Sequence, residues 1–195
     1  MARKLFGVLL ALVVAVTVIG FLLPAQVTVE RSRIMDADPE TVFEVLNDLR
    51  HFARWSPWLL HRSNRDFRLE GPPAGVGATL VWDEARGDGG SRMWIVESRR
   101  PERIEMRLEL GRSDADGWFE LESAEAGTEV QWGMRMSFGA FDLTGRYVGL
   151  MLPGLVGRDY SRGLERLERY LTADNGGPPS LGDDSTEWLR EPDAP

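Results

Sequence analysis

The chain has 195 residues, 43% of them hydrophobic, which is enough to form a core without support from disulfides or a structural metal. It contains no cysteine, which excludes disulfides, thiolate metal sites and cysteine nucleophiles. The net charge is -8 and no basic run occurs, so we expect no nucleic-acid partner.

The N-terminal segment predicts a membrane helix. Residues 5–23 carry no charge, and a helix of that length spans about 28 Å, close to the hydrocarbon thickness of a bilayer. A cleaved secretory signal is the alternative, but the apolar run exceeds the usual signal core and Leu23 is bulky where cleavage after Ala25 needs a small residue. We therefore predict a retained single-pass anchor at 5–23, behind a short flank at 1–4.

The charges around this segment predict its orientation. Arg3 and Lys4 precede it, and positively charged flanks remain on the cytoplasmic side of a membrane. Arg31 and Arg33 follow soon after, which reduces the charge difference between the two flanks. We expect a protein of the cell (inner) membrane with a cytoplasmic N-terminus and an extracytoplasmic, periplasmic domain.

A strand and a helix are predicted directly after the anchor. Residues 27–36 are rich in β-branched side chains, which favours a strand. Asp38 is a suitable helix N-cap and Pro39 fits the first turn, so a helix should begin there. A short aromatic segment then ends in two tryptophans, Trp55 and Trp58.

Six further strands are predicted from alternating hydrophobicity and turn residues. Short connections, such as the glycine-rich turn at 87–90 and Ala126-Gly127, favour antiparallel pairing. One face of each strand should be buried and the other exposed to water. The predicted strands are 66–70, 78–84, 91–98, 103–110, 118–122 and 128–138.

The last element is predicted to be a long helix that ends near Thr172 and is interrupted near Pro153-Gly154. Its apolar stripe can cover one face of the sheet, so we expect an α+β domain at 27–172. The polar, acidic segment 174–195 is predicted to be a disordered tail.

The order of these elements and several short motifs resemble the SRPBCC superfamily. Its members include START-like and polyketide cyclase-like helix-grip domains, and the membrane-anchored bacterial members look especially similar. The resemblance covers residues 27–172 and rests on Asp38-Pro39-Glu40-Thr41-Val42-Phe43, Trp55-Ser56-Pro57-Trp58, Gly75-Val76-Gly77-Ala78 with Trp82, Gly127-Thr128-Glu129-Val130-Gln131-Trp132 and Gly163-Leu164-Glu165-Arg166-Leu167.

The resemblance implies a seven-stranded, curved antiparallel sheet around a long C-terminal helix, with an apolar cavity between them. It also implies that the domain binds a lipid or another hydrophobic small molecule. It does not imply one reaction, because the superfamily contains carriers, cyclases and chaperone cofactors.

The candidate cavity wall combines inward strand positions with the apolar stripe of the last helix. The same side chains could instead form an ordinary filled core, although methionines suit a loosely specified apolar guest. The candidates are Leu80, Trp82, Met93, Ile95, Met106, Leu108, Trp132, Met134, Tyr147, Leu150, Met151, Tyr160 and Leu164.

No residue pattern predicts catalysis. His51 and His61 are interpreted as exposed loop residues without metal-ligand spacing, so we expect no metal and no cofactor. Glu97 is the one acid placed on an inward strand face, and it has no evident partner. Trp55 and Trp58 are interpreted as a hydrophobic plug against the sheet, or alternatively as an aromatic rim of the cavity.

Three functions remain open from the sequence. The first is a membrane-tethered carrier or sensor of a hydrophobic small molecule or lipid. The second is a cyclase- or dehydratase-like enzyme that uses the same cavity. The third is a tethered interaction module with a filled core. The size and lining of a cavity separate them, because catalysis needs convergent polar groups and simple binding does not.

Overall fold

The computed structural model describes residues 2–58, 67–82, 90–111 and 113–173. The predicted acidic tail, His61 and most of the turn at 87–90 lie outside these residues. In chain order the elements are α1 (Ala2–Leu22), β1 (Gln26–Met35), α2 (Pro39–Asn47), α3 (Leu49–Trp55), β2 (Phe67–Glu70), β3 (Thr79–Trp82), β4 (Ser91–Arg99), β5 (Arg103–Leu110), β6 (Ser113–Ala124), β7 (Gly127–Ser137), α4 (Leu143–Gly149) and α5 (Leu152–Thr172).

Helix α1 is apolar along almost its whole length, and its side chains are almost all exposed. Its stretch Arg3–Leu22 has the length and composition of a membrane span, properties that it shares with a signal sequence. The helix leads directly into β1, where the amide of Phe138 donates to the carbonyl of Ala25.

The seven strands form one antiparallel sheet in the order β1-β7-β6-β5-β4-β3-β2. Strands β2 to β7 form a meander, and β1 closes the sheet against β7. We call the end where Gln26 pairs with Ser137 and Leu110 with Ser113 the proximal end, because α1 enters the sheet there. The end where Met35 pairs with Thr128 is the distal end.

Helix α5 lies across one face of this sheet and buries its apolar stripe there. The alternation predicted for β5 and β7 is observed: the side chains of Met106 and Trp132 are buried, whereas Arg107 and Arg135 are exposed. The predicted α+β helix-grip fold is therefore confirmed, with a curved antiparallel sheet, a long C-terminal helix and an apolar N-terminal helix.

A β-bulge corrects the prediction for Glu97. The register between β4 and β5 shifts between Ile95 and Glu97, so Glu97 lies opposite Glu105 on the outer face of the sheet. Its carboxylate pairs there with Arg99 at 2.6 Å. Strict alternation placed Glu97 inside because it took no account of the extra residue in β4.

The prediction of the C-terminal helix is also corrected, and one short helix is added. The C-terminal helix is interrupted at Leu150 and Met151, and Pro153 lies in the first turn of α5, where its missing N–H costs no hydrogen bond. The aromatic segment, for which no element was predicted, contains α3, whose N-cap is Asp48: its carboxylate accepts from the amide of Arg50 at 2.9 Å.

Candidate functional site

An apolar cavity of about 340 Å³ lies between the sheet and α5. This volume falls within the range of pockets that hold small molecules. All eleven described lining residues are hydrophobic: Phe52, Trp58, Leu80, Trp82, Met93, Leu108, Leu110, Met134, Met136, Leu152 and Val156.

The cavity occupies the proximal half of the sheet–helix interface. Its sheet wall comes from inward positions of β3, β4, β5 and β7, and its helical wall comes from Leu152 and Val156 in the first turns of α5. Phe52 of α3 and Trp58, which follows α3, contribute from the side. Every second side chain of each strand points toward α5, which forms the opposite wall of the cavity.

Aromatic side chains fill the adjoining part of the interface. The ring of Trp132 stacks on Tyr160 with centroids 3.9 Å apart and an interplanar angle of 7°. Trp55 and Phe119 each lie 5.3 Å from the Trp132 ring, centroid to centroid. Burial raises the pKa of the Tyr160 hydroxyl, so this ring remains uncharged within the core.

The sequence-predicted wall residues divide into three groups. Five of them line the cavity: Leu80, Trp82, Met93, Leu108 and Met134. Another five are buried in the core beside it: Ile95, Met106, Trp132, Tyr160 and Leu164.

The third group, Tyr147, Leu150 and Met151, does not line the cavity. Tyr147 faces α1, where its hydroxyl donates to the carbonyl of Val16, while Leu150 and Met151 are exposed. The break between α4 and α5 interrupts the helical stripe, so residues before it do not continue the buried face of α5.

Six residues of the lining are absent from the predicted cavity wall, although Trp58 was offered as part of an aromatic rim. Leu110 and Met136 continue the alternation of β5 and β7, so the same pattern could have found them. Val156 lies on the apolar stripe of the last helix, which could have found it as well, whereas Leu152 required knowledge of where α5 begins. The last two, Phe52 and Trp58, come from the aromatic segment around α3.

The two tryptophans after α2 have different positions. Trp55 is buried and packs edge-on against Trp132 with ring centroids 5.3 Å apart, which is the geometry of a plug. Trp58 lines the cavity and also contacts Trp132 and Tyr160. It therefore marks the boundary between the filled and the open parts of the interface.

His51 is buried in α3, which corrects its interpretation as an exposed loop residue. Its Nδ1 lies 2.7 Å from the hydroxyl of Tyr170 on α5. Burial lowers the pKa of His51, partly offset by the nearby carboxylate of Asp48. Within the described parts of the chain, no group of three or more His, Asp or Glu residues could hold a metal ion.

Chemically, the cavity can enclose an apolar guest. Among the described lining residues none carries a titratable group, and the indole N–H groups of Trp58 and Trp82 are their only strong hydrogen-bond donors. A ligand would be held mainly by removal of its apolar surface from water.

Sequence comparison assigns the domain to a described family. Residues 26–172 match the model of a family described as polyketide cyclase / dehydrase and lipid transport. This match confirms the resemblance to the SRPBCC superfamily. No curated protein matches the chain.

Solved structures share the fold at low sequence identity. TTHA0849 from Thermus thermophilus is similar with a TM-score of 0.55 and 15% identity, over 76% of this chain and 99% of that one. The di-domain ARO/CYC StfQ from the steffimycin biosynthetic pathway is similar with a TM-score of 0.57 and 11% identity, over 74% of this chain and 50% of that one. The Aha1 dimer from Colwellia psychrerythraea is similar with a TM-score of 0.51 and 15% identity, over 77% of this chain and 99% of that one.

Proposed function

The chain belongs to the polyketide cyclase / dehydrase and lipid transport family, and from that premise we propose that it is a membrane-tethered carrier or sensor of a hydrophobic small molecule or lipid. The ligand occupies the apolar cavity between the proximal half of the sheet and α5. Helix α1 is the tether, and the domain at 27–172 lies outside the cytoplasm.

The cavity is the observation that carries this proposal. A filled core would leave no space between sheet and helix, whereas about 340 Å³ is open here. Trp82 and Leu110 in its lining are only partly buried, so the cavity is open to solvent and part of its apolar wall is exposed to water. A guest that fills it would remove this apolar surface from water, which favours binding over a purely structural role.

The lining favours binding over catalysis. A cyclase or dehydratase needs an acid or base within hydrogen-bond reach of its substrate. The described lining residues are hydrophobic, and Glu97, the acid placed inside from the sequence, lies on the outer face. We therefore assign no catalytic residue.

Native mass spectrometry of the full chain, released from membranes by mild detergent, tests the ligand. We expect the wild-type protein to carry a bound apolar molecule of defined mass. Met134 lies on the cavity wall, so Met134→Trp should fill part of the cavity and lower occupancy at least about tenfold, equivalent to about 1.4 kcal/mol.

The matched control is Met134→Leu, which nearly conserves side-chain volume and should retain the ligand. Equal occupancy in the two variants would place the ligand outside the cavity. Absence of any bound molecule from the wild-type protein, combined with failure to take up a fluorescent fatty acid, would favour the filled-core interaction module instead.

The tether has its own test. An alkaline carbonate wash should leave the full chain in the membrane fraction, because α1 is apolar over a bilayer's thickness. Recovery of soluble protein beginning near Gln26 would show that α1 is a cleaved signal. A reporter that is active only in the cytoplasm should be inactive when fused to the C-terminus. Activity of this fusion would show that the domain lies in the cytoplasm.

A further inference from the structure

A second apolar surface lies outside the cavity, around α4 and the start of α5. Its five side chains are exposed, with fractions from 48% for Leu155 to 87% for Phe141. We call it the α4 patch; its members are Phe141, Val148, Leu150, Met151 and Leu155. Contiguous exposed apolar residues of this kind mark a contact surface.

Helix α4 is held against the C-terminal end of α1. The hydroxyl of Tyr147 donates to the carbonyl of Val16 at 2.6 Å. A side chain at Gly20 would approach the Tyr147 ring to 3.2 Å, so glycine permits this close packing. The rings of Phe21 and Phe141 meet edge to face with centroids 6.2 Å apart.

Arg146 completes this contact. Its guanidinium is buried and donates to the carbonyls of Phe21 and Leu23, at 3.1 and 3.2 Å. These carbonyls lie in the last turn of α1 and at the residue that follows it, where backbone acceptors lack helical partners and the helix dipole favours a cation. The arginine thus fixes α4 to the end of the apolar helix.

This contact sets the depth of α4 relative to a bilayer. The segment of α1 between Val16 and Leu22 rises about 9 Å along the helix axis. If α1 spans the membrane, α4 therefore lies beside the outermost part of the span. That is the depth at which interfacial helices bury their apolar faces, about 5–10 Å into the headgroup and acyl boundary, and at which tyrosines concentrate.

The cavity lies at the same end of the domain. Trp82, Leu110 and Met136 of its lining belong to the proximal end of the sheet, where α1 enters. Leu152 lines the cavity, while its neighbour Met151 belongs to the α4 patch. The patch and the helical wall of the cavity are thus adjacent in sequence and in space.

From this arrangement we propose that the α4 patch docks on the lipid bilayer and places the cavity at the membrane surface, so that an apolar ligand exchanges with the bilayer directly. The occupant of the patch is lipid, because the patch continues the apolar surface of α1. With a net charge of -8 on the chain, docking depends on apolar burial and should not be strengthened by anionic lipid. This inference rests on the proposed tether and cavity.

Because the chain has no cysteine, single-cysteine variants can carry a polarity-sensitive fluorophore at one site. The full chain is reconstituted in phosphatidylcholine vesicles that contain lipids with a nitroxide at a shallow or a deep position. Three variants are compared: Leu150→Cys in the α4 patch, Val14→Cys within α1 as the reference for insertion, and Val76→Cys as the control. Val76 is 60% exposed, close to the 56% of Leu150, but lies in the loop before β3, away from α1.

We expect the shallow nitroxide to quench the label at position 150, the deep nitroxide to quench the label at position 14, and neither to quench the label at position 76. Quenching at position 14 without quenching at position 150 overturns docking of the patch, whatever the cavity binds. No quenching at either position shows that α1 is not inserted, and the inference then fails together with the tether.

Direct exchange is tested with Leu150→Glu combined with Met151→Glu, neither of which lines the cavity. Transfer of a fluorescent fatty acid from the vesicle membrane into the protein should slow about tenfold, with unchanged occupancy at equilibrium. Val76→Glu should transfer at the wild-type rate. An unchanged rate in the double variant overturns direct exchange. Quenching at position 150 without any fatty-acid uptake by the wild-type protein supports docking and refutes the proposed cavity function.

Discussion

The two halves of the interface between sheet and α5 differ in how completely they are filled. In the distal part, Trp132 is enclosed by Trp55, Phe119 and Tyr160, and all four rings are buried. In the proximal part, the facing side chains are mostly leucine and methionine, and about 340 Å³ remains open. The same sheet and the same helix therefore produce a packed core at one end and a cavity at the other.

This difference goes with the side chains that face the interface. Four closely packed aromatic rings fill one part, whereas leucine and methionine make up most of the lining of the other part. Stability should therefore depend on the distal half and ligand capacity on the proximal half. Four sets of variants test this division, with unfolding of the full chain in nanodiscs followed by far-UV circular dichroism.

The largest effect is expected for Trp132→Ala, which removes the ring at the centre of the filled half. Loss of a buried large aromatic should lower the free energy of unfolding by about 3–5 kcal/mol. The neighbouring Gln131→Ala should remain within about 0.5 kcal/mol of wild type, since Gln131 points to the opposite face. Similar losses in both denaturation curves would refute the assignment of faces in β7.

Enlarging one residue in each half compares them directly. Leu164 is buried on α5 outside the cavity, so Leu164→Trp should overpack the core and cost about 1–3 kcal/mol. Met134→Trp extends into open space and should cost less than about 1 kcal/mol. If both substitutions destabilise the protein equally, the cavity is not available to an added ring.

Alanine substitutions at two glycines of α5 should differ less in their effect on the free energy of unfolding. A Cβ at Gly163 would lie 2.6 Å from Cζ3 of the buried Trp132 and 3.2 Å from Pro57, so Gly163→Ala should cost about 1–2 kcal/mol despite its better helix propensity. No atom lies within 4 Å of a Cβ at Gly154, where alanine should be neutral or stabilising by up to about 1 kcal/mol. Stabilisation by Gly163→Ala would show that α5 is not held tightly against Trp132.

The smallest effect concerns pH. Burial lowers the pKa of His51, so the folded protein keeps this imidazole neutral where the unfolded chain binds a proton. Stability should therefore decrease as the pH falls below the ordinary histidine pKa of 6.5 and level off below the lowered value. Between about pH 7.5 and about pH 5.5, His51→Gln should lose less stability than wild type. An equal loss would show that His51 does not contribute to the pH dependence.

The sequence predicted most of the fold because each pattern involved is local. Alternation in β5 and β7 identified the buried faces, and Asp38 with Pro39 identified the start of α2. The strand 118–122 was predicted too short: β6 spans Ser113–Ala124, and its central Gly117 weakens the pattern. Glu97 was assigned to the wrong face for a related reason, because a β-bulge cannot be recognised from a period-two pattern of hydrophobicity.

The sequence by itself thus determined the element order, the family resemblance and the apolar character of the side chains between sheet and helix. Tertiary structure alone decided which of them border open space, such as Met134, and which are enclosed, such as Trp132. It also decided that Tyr147 faces α1 rather than the cavity. Periodicity reports the direction of a side chain, whereas a cavity or a contact depends on the distance to the opposite wall, and that distance is set by elements far away in the chain.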